Sequence, residues 1–256
     1  MEFDDAIVGG NTKLFTLERI IFKKTETDRN QDHYVHPFYK TAFCRLYEME
    51  ESEVKAEEGV YPRDNYEFLI PIVRELADGK EGDITHFYDV RTTEEFLQTA
   101  PEYALLKGAG IQKASPLGVK GMDAFALPFA LMLAEKNVEE NKMALILCAE
   151  IYVPADGEVY GNSMKRCCGF LLRKDSLEQV KGTTRVLSYR FHVNWEEVRQ
   201  YREECCWKSN QTIVYEGDSL LDALEVLYKE LNKGVSDFLA IWKHNAKFGF
   251  VHIERR

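Results

Sequence analysis

Ala114-Ser115-Pro116-Leu117-Gly118-Val119-Lys120-Gly121 is a short strand-like segment that turns, through a glycine, into an apolar run ending at Lys136. Glycine at 121 permits the sharp turn that such a junction needs. From Gly121 to Lys136, the residues Met122, Ala126, Phe129, Ala130 and Leu133 recur at helical spacing, and Ala124, Leu127, Leu131 and Ala134 fill most of the opposite side. A helix apolar on both sides is buried nearly all round. Pro128 lies inside this run and predicts a kink.

The pattern extends outward from this junction. Met143 to Ala149 is apolar on both faces, as a central strand covered by helices must be. Upstream, Ile84 to Asp89 reads as a strand and Pro101 to Gly108 as a helix. Asn65 to Asp78 reads as a helix ended by Gly79, with its start blurred by Pro71. Downstream, Arg166 to Leu172 is strand-like, Thr184 to Val193 alternates like a half-buried strand, and Asn194 is placed to cap a helix from Trp195 to Cys206. A strand at Thr212 to Tyr215, an amphipathic helix from Leu220 to Leu231 and a closing hairpin, Phe238 to Trp242 with Phe248 to Ile253, complete the chain. The first 63 residues carry strand-like pieces at Arg19 to Lys24 and Thr41 to Tyr47, and an acidic loop at Glu48 to Glu58. Strand and helix thus recur twice in similar order with no low-complexity linker. The expectation is an α/β protein of one domain over residues 1–256, with a first half at 65–175 and a shortened second half at 183–256.

Composition narrows the function classes. With 256 residues, 45% apolar and 30% charged, the chain can bury about three-quarters of its unfolded surface. A net charge of −10 repels nucleic acid and anionic membranes, and an acidic carrier protein as well. No apolar stretch reaches membrane-spanning length, and the acidic start Met1-Glu2-Phe3-Asp4-Asp5 is unlike a signal peptide. Six cysteines, none at C-x-x-C spacing, point to free thiols in a reducing, cytoplasmic setting with no metal and no cofactor. The histidines at 33, 36, 86, 192 and 252 show no i, i+4 pairing, so structural or exposed roles are expected.

A strand turning abruptly into a buried helix is where an enzyme can hold a thiolate against the helix dipole. In its order of elements the chain resembles the condensing enzymes of the thiolase superfamily, β-ketoacyl-acyl-carrier-protein synthase III type. The match runs through Ile84 to Asp89, Pro101 to Gly108, the turn at Lys120, the strand at Met143 and Arg166 to Leu172. The resemblance implies an αβαβα layered fold of two pseudo-repeat halves, and it puts the family's catalytic cysteine on Lys120. The family's catalytic histidine has no counterpart, because Trp195 to Gly217 is too short to hold it. Gly217-Asp218 is the nearest approach to the family's Gly-Asn turn, and His244-Asn245 falls in the closing hairpin instead.

A lysine at a helix N-terminus opposes the dipole by roughly 0.3–1 kcal/mol, and it replaces a thiolate only if burial lowers its pKa strongly. Losing a covalent nucleophile typically costs on the order of a million-fold in turnover. The resemblance is therefore nearest to the cysteine-less small subunit of the heterodimeric enzyme that makes 2-alkyl-4-quinolones. It implies a silent subunit paired with an active ketosynthase III-like partner, which would itself dock any carrier. The interface implied is the edge strand Ala114, Ser115, Pro116, Leu117, Gly118 and Val119, with Phe96 reaching the partner's acyl tunnel. Two alternatives remain open: an acyltransferase using Cys148, Ser115 or another side chain, and an unrelated α/β binding protein.

Overall fold

A nine-stranded sheet in the order β5-β4-β6-β7-β1-β8-β11-β10-β9 carries the architecture. The computed structural model describes residues 15–26, 33–35, 41, 44–45, 48, 50–56, 63–91, 101–120, 122, 125–151, 164–175, 183–208, 213–217, 219–244 and 246–255. The strands are β1 (Phe15–Glu26), β2 (His33–Val35), β3 (Val54–Ala56), β4 (Ile84–Arg91), β5 (Ser115–Val119), β6 (Met143–Ile151), β7 (Met164–Lys174), β8 (Thr184–Val193), β9 (Ile213–Gly217), β10 (Asp237–His244) and β11 (Lys247–Arg255). The helices are α1 (Arg63–Ala77), α2 (Pro101–Ala109), α3 (Ala126–Asn137), α4 (Trp195–Lys208) and α5 (Leu220–Asn232).

The sheet order contains an internal repeat. Taken in chain order as one to five, the first-half strands β1, β4, β5, β6 and β7 stand as three-two-four-five-one across the sheet. The second half continues from β8 as one, five, four, two, through β8, β11, β10 and β9. Strand directions repeat as well. β4 runs parallel to β5 and β6, and β7 runs antiparallel to β6 and β1; β10 runs parallel to β9, and β11 runs antiparallel to β10 and β8. The halves join where β1 pairs antiparallel with β8. Among the described residues the second half has no counterpart of β5, which is the form its shortening takes.

Burial sorts these elements into layers. On β6, Ala144, Ile146 and Cys148 face a core shared with α3, α5 and strands of both halves, whereas Leu145, Leu147 and Ala149 face α1 and α2. A third cluster lies between α4 and the second half's strands, through Val198 against Val193, Leu239, Ile241 and Phe250. The result is the layering αβαβα, with α3 and α5 in the middle. This is why β6 is apolar on both faces, and why α5 buries Leu220, Leu221, Ala223, Leu224 and Leu227. Each leucine so buried contributes about 1.5–3 kcal/mol. α1 sits tightly on the sheet: a Cβ at Gly169 of β7 would come within 2.1 Å of Leu76 Cδ1.

Several local expectations are corrected. α3 begins at Ala126 rather than Gly121, so Pro128 occupies its first turn, where no backbone N–H is required, and no kink is needed. Thr41, Cys44 and Arg45 are helical rather than extended. Within the acidic stretch at 48–58, Glu51–Glu53 form a 3₁₀ turn, and Val54–Ala56 pair in parallel with His33–Val35. α1 runs through Pro71, which stands on its exposed side.

Candidate functional site

In parallel sheets, ligands bind beyond the carboxyl ends of the strands, and here two such corners meet the N-termini of the central helices. At the first, Phe125 precedes α3 in αR conformation and offers no side-chain cap. Its ring meets His192, at the end of β8, edge-on at 5.8 Å. A Cβ at Gly249 would lie 2.8 Å from Trp242 Nε1 and 3.2 Å from Phe125 Cδ1, so both rings close over that glycine. Trp242 is wholly buried. His192 holds φ of 60°, a left-handed backbone that costs a non-glycine residue about 1 kcal/mol or more.

At the second corner, Ser219 caps α5 by accepting the Asp222 N–H at 3.3 Å. The Asp222 carboxylate accepts from Arg166 of β7, whose Nε also donates to Glu150 of β6 at 2.8 Å. Arg166 is buried. The two central helices therefore cross over: α3 of the first half leans on second-half residues, and α5 of the second half is pinned to first-half strands.

Lys120 follows β5 directly, but its ammonium is turned to the outer layer, 3.4 Å from Glu102 Oε1 in the first turn of α2. It stands six residues before Ala126, so the expectation that it opposes the α3 dipole does not hold. Gly118 makes room for the Glu102 carboxylate, whose Oε1 lies 2.2 Å from where a Cβ would be. Next to this pair, Asp89 and Arg91 at the end of β4 are joined at 2.7 Å and fully buried. Burial pushes the Asp89 carboxyl up, against the pull of the Arg91 guanidinium and, more weakly, of Lys120. Two carboxylates and two cations thus balance along the ends of β4 and β5.

The remaining expected site residues fall as follows. Ser115, Pro116, Leu117, Gly118 and Val119 form β5, which pairs with β4 and ends the sheet; Ala114 is half-buried just before it. Leu117 is 44% exposed, and Tyr103 on neighbouring α2 is 65% exposed. Phe96 and Asp218 lie outside the described residues. Cys148 is wholly buried in mid-sheet, and burial drives its thiol well above the ordinary range, so it is no attacker. Cys44, Cys148, Cys167, Cys168 and Cys205 are free and buried, as expected. Among the described residues, no cluster of three or more His, Cys, Asp or Glu could hold a metal, and no helix is long and apolar enough to cross a membrane. Arg166, Trp242 and the Asp89–Arg91 pair escaped the sequence analysis. Only the last had a local signal, two opposite charges two apart in an otherwise uncharged strand.

No family profile matches the sequence, and no curated protein matches it. Solved structures do match. ChlB3, an acyltransferase, aligns with a TM-score of 0.58 at 11% identity over 94% of this chain and 97% of its own. 3-Oxoacyl-(acyl carrier protein) synthase III, FabH, from Pseudomonas aeruginosa PAO1 aligns at 0.52 and 10% identity, over 94% and 98%. AbyA1, a tetronic acid condensing enzyme, aligns at 0.53 and 9% identity, over 93% and 99%. The fold is thiolase-like, of the ketosynthase III kind.

Proposed function

We propose that this chain is a catalytically silent, ketosynthase III-like subunit that pairs with an active condensing enzyme and shapes its acyl pocket, in secondary-metabolite or signal-molecule biosynthesis. The observation that carries this reading is the junction between β5 and α3. Lys120-Gly121-Met122-Asp123-Ala124-Phe125 contains no cysteine, serine or threonine, whichever of its positions stands for the family's nucleophile. The helix that would stabilise a thiolate begins instead behind Phe125, which packs with Trp242 and His192. Acyl transfer needs an activated nucleophile and donors aimed at the developing oxyanion, and a helix start covered by aromatic rings provides neither.

Pairing is supported by the β5 rim. An edge strand that carries an exposed leucine is a surface that natural proteins mate or guard. On this reading the chain plays the part that the small subunit plays in the 2-alkyl-4-quinolone condensing enzyme. Carrier docking falls to the active partner, since this chain's net charge of −10 repels an acidic carrier.

The test is co-expression with an active ketosynthase III-like enzyme from the same organism, followed by size-exclusion chromatography. A complex weakened at least tenfold by Leu117→Lys, with the melting temperature of the isolated chain unchanged, is the expected result. A monomer or homodimer without affinity for that enzyme overturns the proposal. An intact-mass increase on incubation with an acyl thioester would overturn the silence.

A further inference from the structure

On the outer face of the second half, under α4 and remote from the crossing of the central helices, three side chains stand in line. His252 of β11 engages Asp237 of β10 through Nε2, at 2.6 Å from Oδ1. Its Nδ1 lies 3.6 Å from the Cys205 Sγ and 2.9 Å from the Tyr201 hydroxyl, both on α4. Cys205, His252 and Asp237 are 8%, 5% and 7% exposed. A carboxylate on one ring nitrogen orients the imidazole and favours its positive form, while a thiol on the other can surrender its proton to it. Sulfur, imidazole and carboxylate in that order make a base-activated nucleophile.

We propose that Cys205 is a nucleophilic thiol, paired with His252 and oriented by Asp237, that takes small soft electrophiles, hydrogen peroxide being the reagent this site admits. Size sets that limit: Cys205 is only 8% exposed, which favours a reagent of two heavy atoms over a larger one. The step balances as follows. The Sγ proton moves to His252 Nδ1, and the thiolate attacks one peroxide oxygen. The S–O bond forms as the O–O bond breaks, and the departing hydroxide takes the Nδ1 proton and leaves as water. Sulfur is oxidised by two electrons to the sulfenic acid, and peroxide is reduced.

The surroundings favour a charged imidazole. Burial alone would lower the His252 pKa, but hydrogen bonds to Asp237 and Cys205 outweigh it and hold the imidazole at about 9. The groups around the ring are Asp237 from β10 and Cys205 and Tyr201 from α4, and Tyr201 is in turn approached by Ser188 and Arg190 of β8. Cys148, Cys167 and Cys168 are wholly buried, and burial raises their thiols.

The experiment treats the native full chain with hydrogen peroxide, removes the excess, unfolds the protein in the presence of dimedone, and maps adducts by peptide mass spectrometry against an untreated control. The dimedone adduct is expected on Cys205. His252→Asn and Asp237→Asn should each slow its appearance at least tenfold. A peroxide-treated native protein without an adduct on Cys205 overturns the proposal without recourse to any variant. So does a folded His252→Asn protein that is oxidised at Cys205 as fast as the parent.

Discussion

Gly118→Ala offers a test of how β5, α2 and the Lys120 turn are joined. The added methyl would sit 2.2 Å from Glu102 Oε1 and 3.2 Å from its Cδ, with Lys120 Cε at 3.4 Å. Overpacking costs about 1–3 kcal/mol, and the low end applies because the colliding atom is the tip of a flexible side chain. The displaced carboxylate also leaves Lys120, a pair whose lysine is 38% exposed and whose loss costs less than about 1 kcal/mol. The total is about 1–2 kcal/mol, or roughly 2–8 °C in melting temperature for a chain of this size. In a Glu102→Ala background the collision is gone, and alanine's smaller unfolded-state entropy should make the same substitution neutral or stabilising by about 0.4–1 kcal/mol. Urea unfolding of the four proteins in a double-mutant cycle measures the difference. Equal penalties for Gly118→Ala with and without Glu102 would refute the contact and the placement of Lys120 that rests on it.

Other expectations follow from the same geometry. Gly169→Ala should cost about 1–3 kcal/mol in chemical denaturation, since its methyl meets Leu76 Cδ1 at 2.1 Å in a closed layer; no change would mean that α1 is not seated on β7. Asp89→Leu should cost about 3–5 kcal/mol by removing the carboxylate from a guanidinium that is 2% exposed, and Arg91→Met added to it should recover most of the loss. Because His252 is raised from 6.5 to about 9 in the folded state, its contribution is complete below pH 6.5 and drains away as pH rises through 9. The unfolding free energy from urea titrations should therefore fall over that window by an amount on the order of 2–3 kcal/mol, and Asp237→Asn should flatten the fall.

The elements were legible where periodicity and boundary agreed. Thr184–Val193 was read to the residue, and the closing hairpin and α5 were read to within a few residues, because alternation or amphipathic spacing ends there at polar or glycine positions. α3 was misplaced at its start because Met122 and Ala124 continue the apolar spacing upstream, and because Phe125 supplies no capping side chain to mark the boundary. Thr41, Cys44 and Arg45, helical inside a stretch of strand-like composition, show the limit of β-propensity in a short segment. At the site, the direction of Lys120 depends on Glu102, eighteen positions earlier, and the Arg166 bridge draws on three separate elements. In the sequence Cys205 reads as one more free thiol, His252 as a structural or exposed histidine, and nothing marks Asp237, since only the packing of α4 across the hairpin brings them together.

Among the described residues the second half lacks a counterpart of β5, a strand that would have stood outermost, beyond β9. Its omission removes one ladder and uncovers no interior face, whereas losing β1 or β8 would cut the sheet in two. The slab is left with dissimilar ends. One is β5, with Leu117 outward; the other is the five-residue β9, with Glu216 exposed near its finish. Two adhesive ends would let molecules add to one another without limit, as open filaments do. A short, acid-bearing terminus at one side discourages that growth.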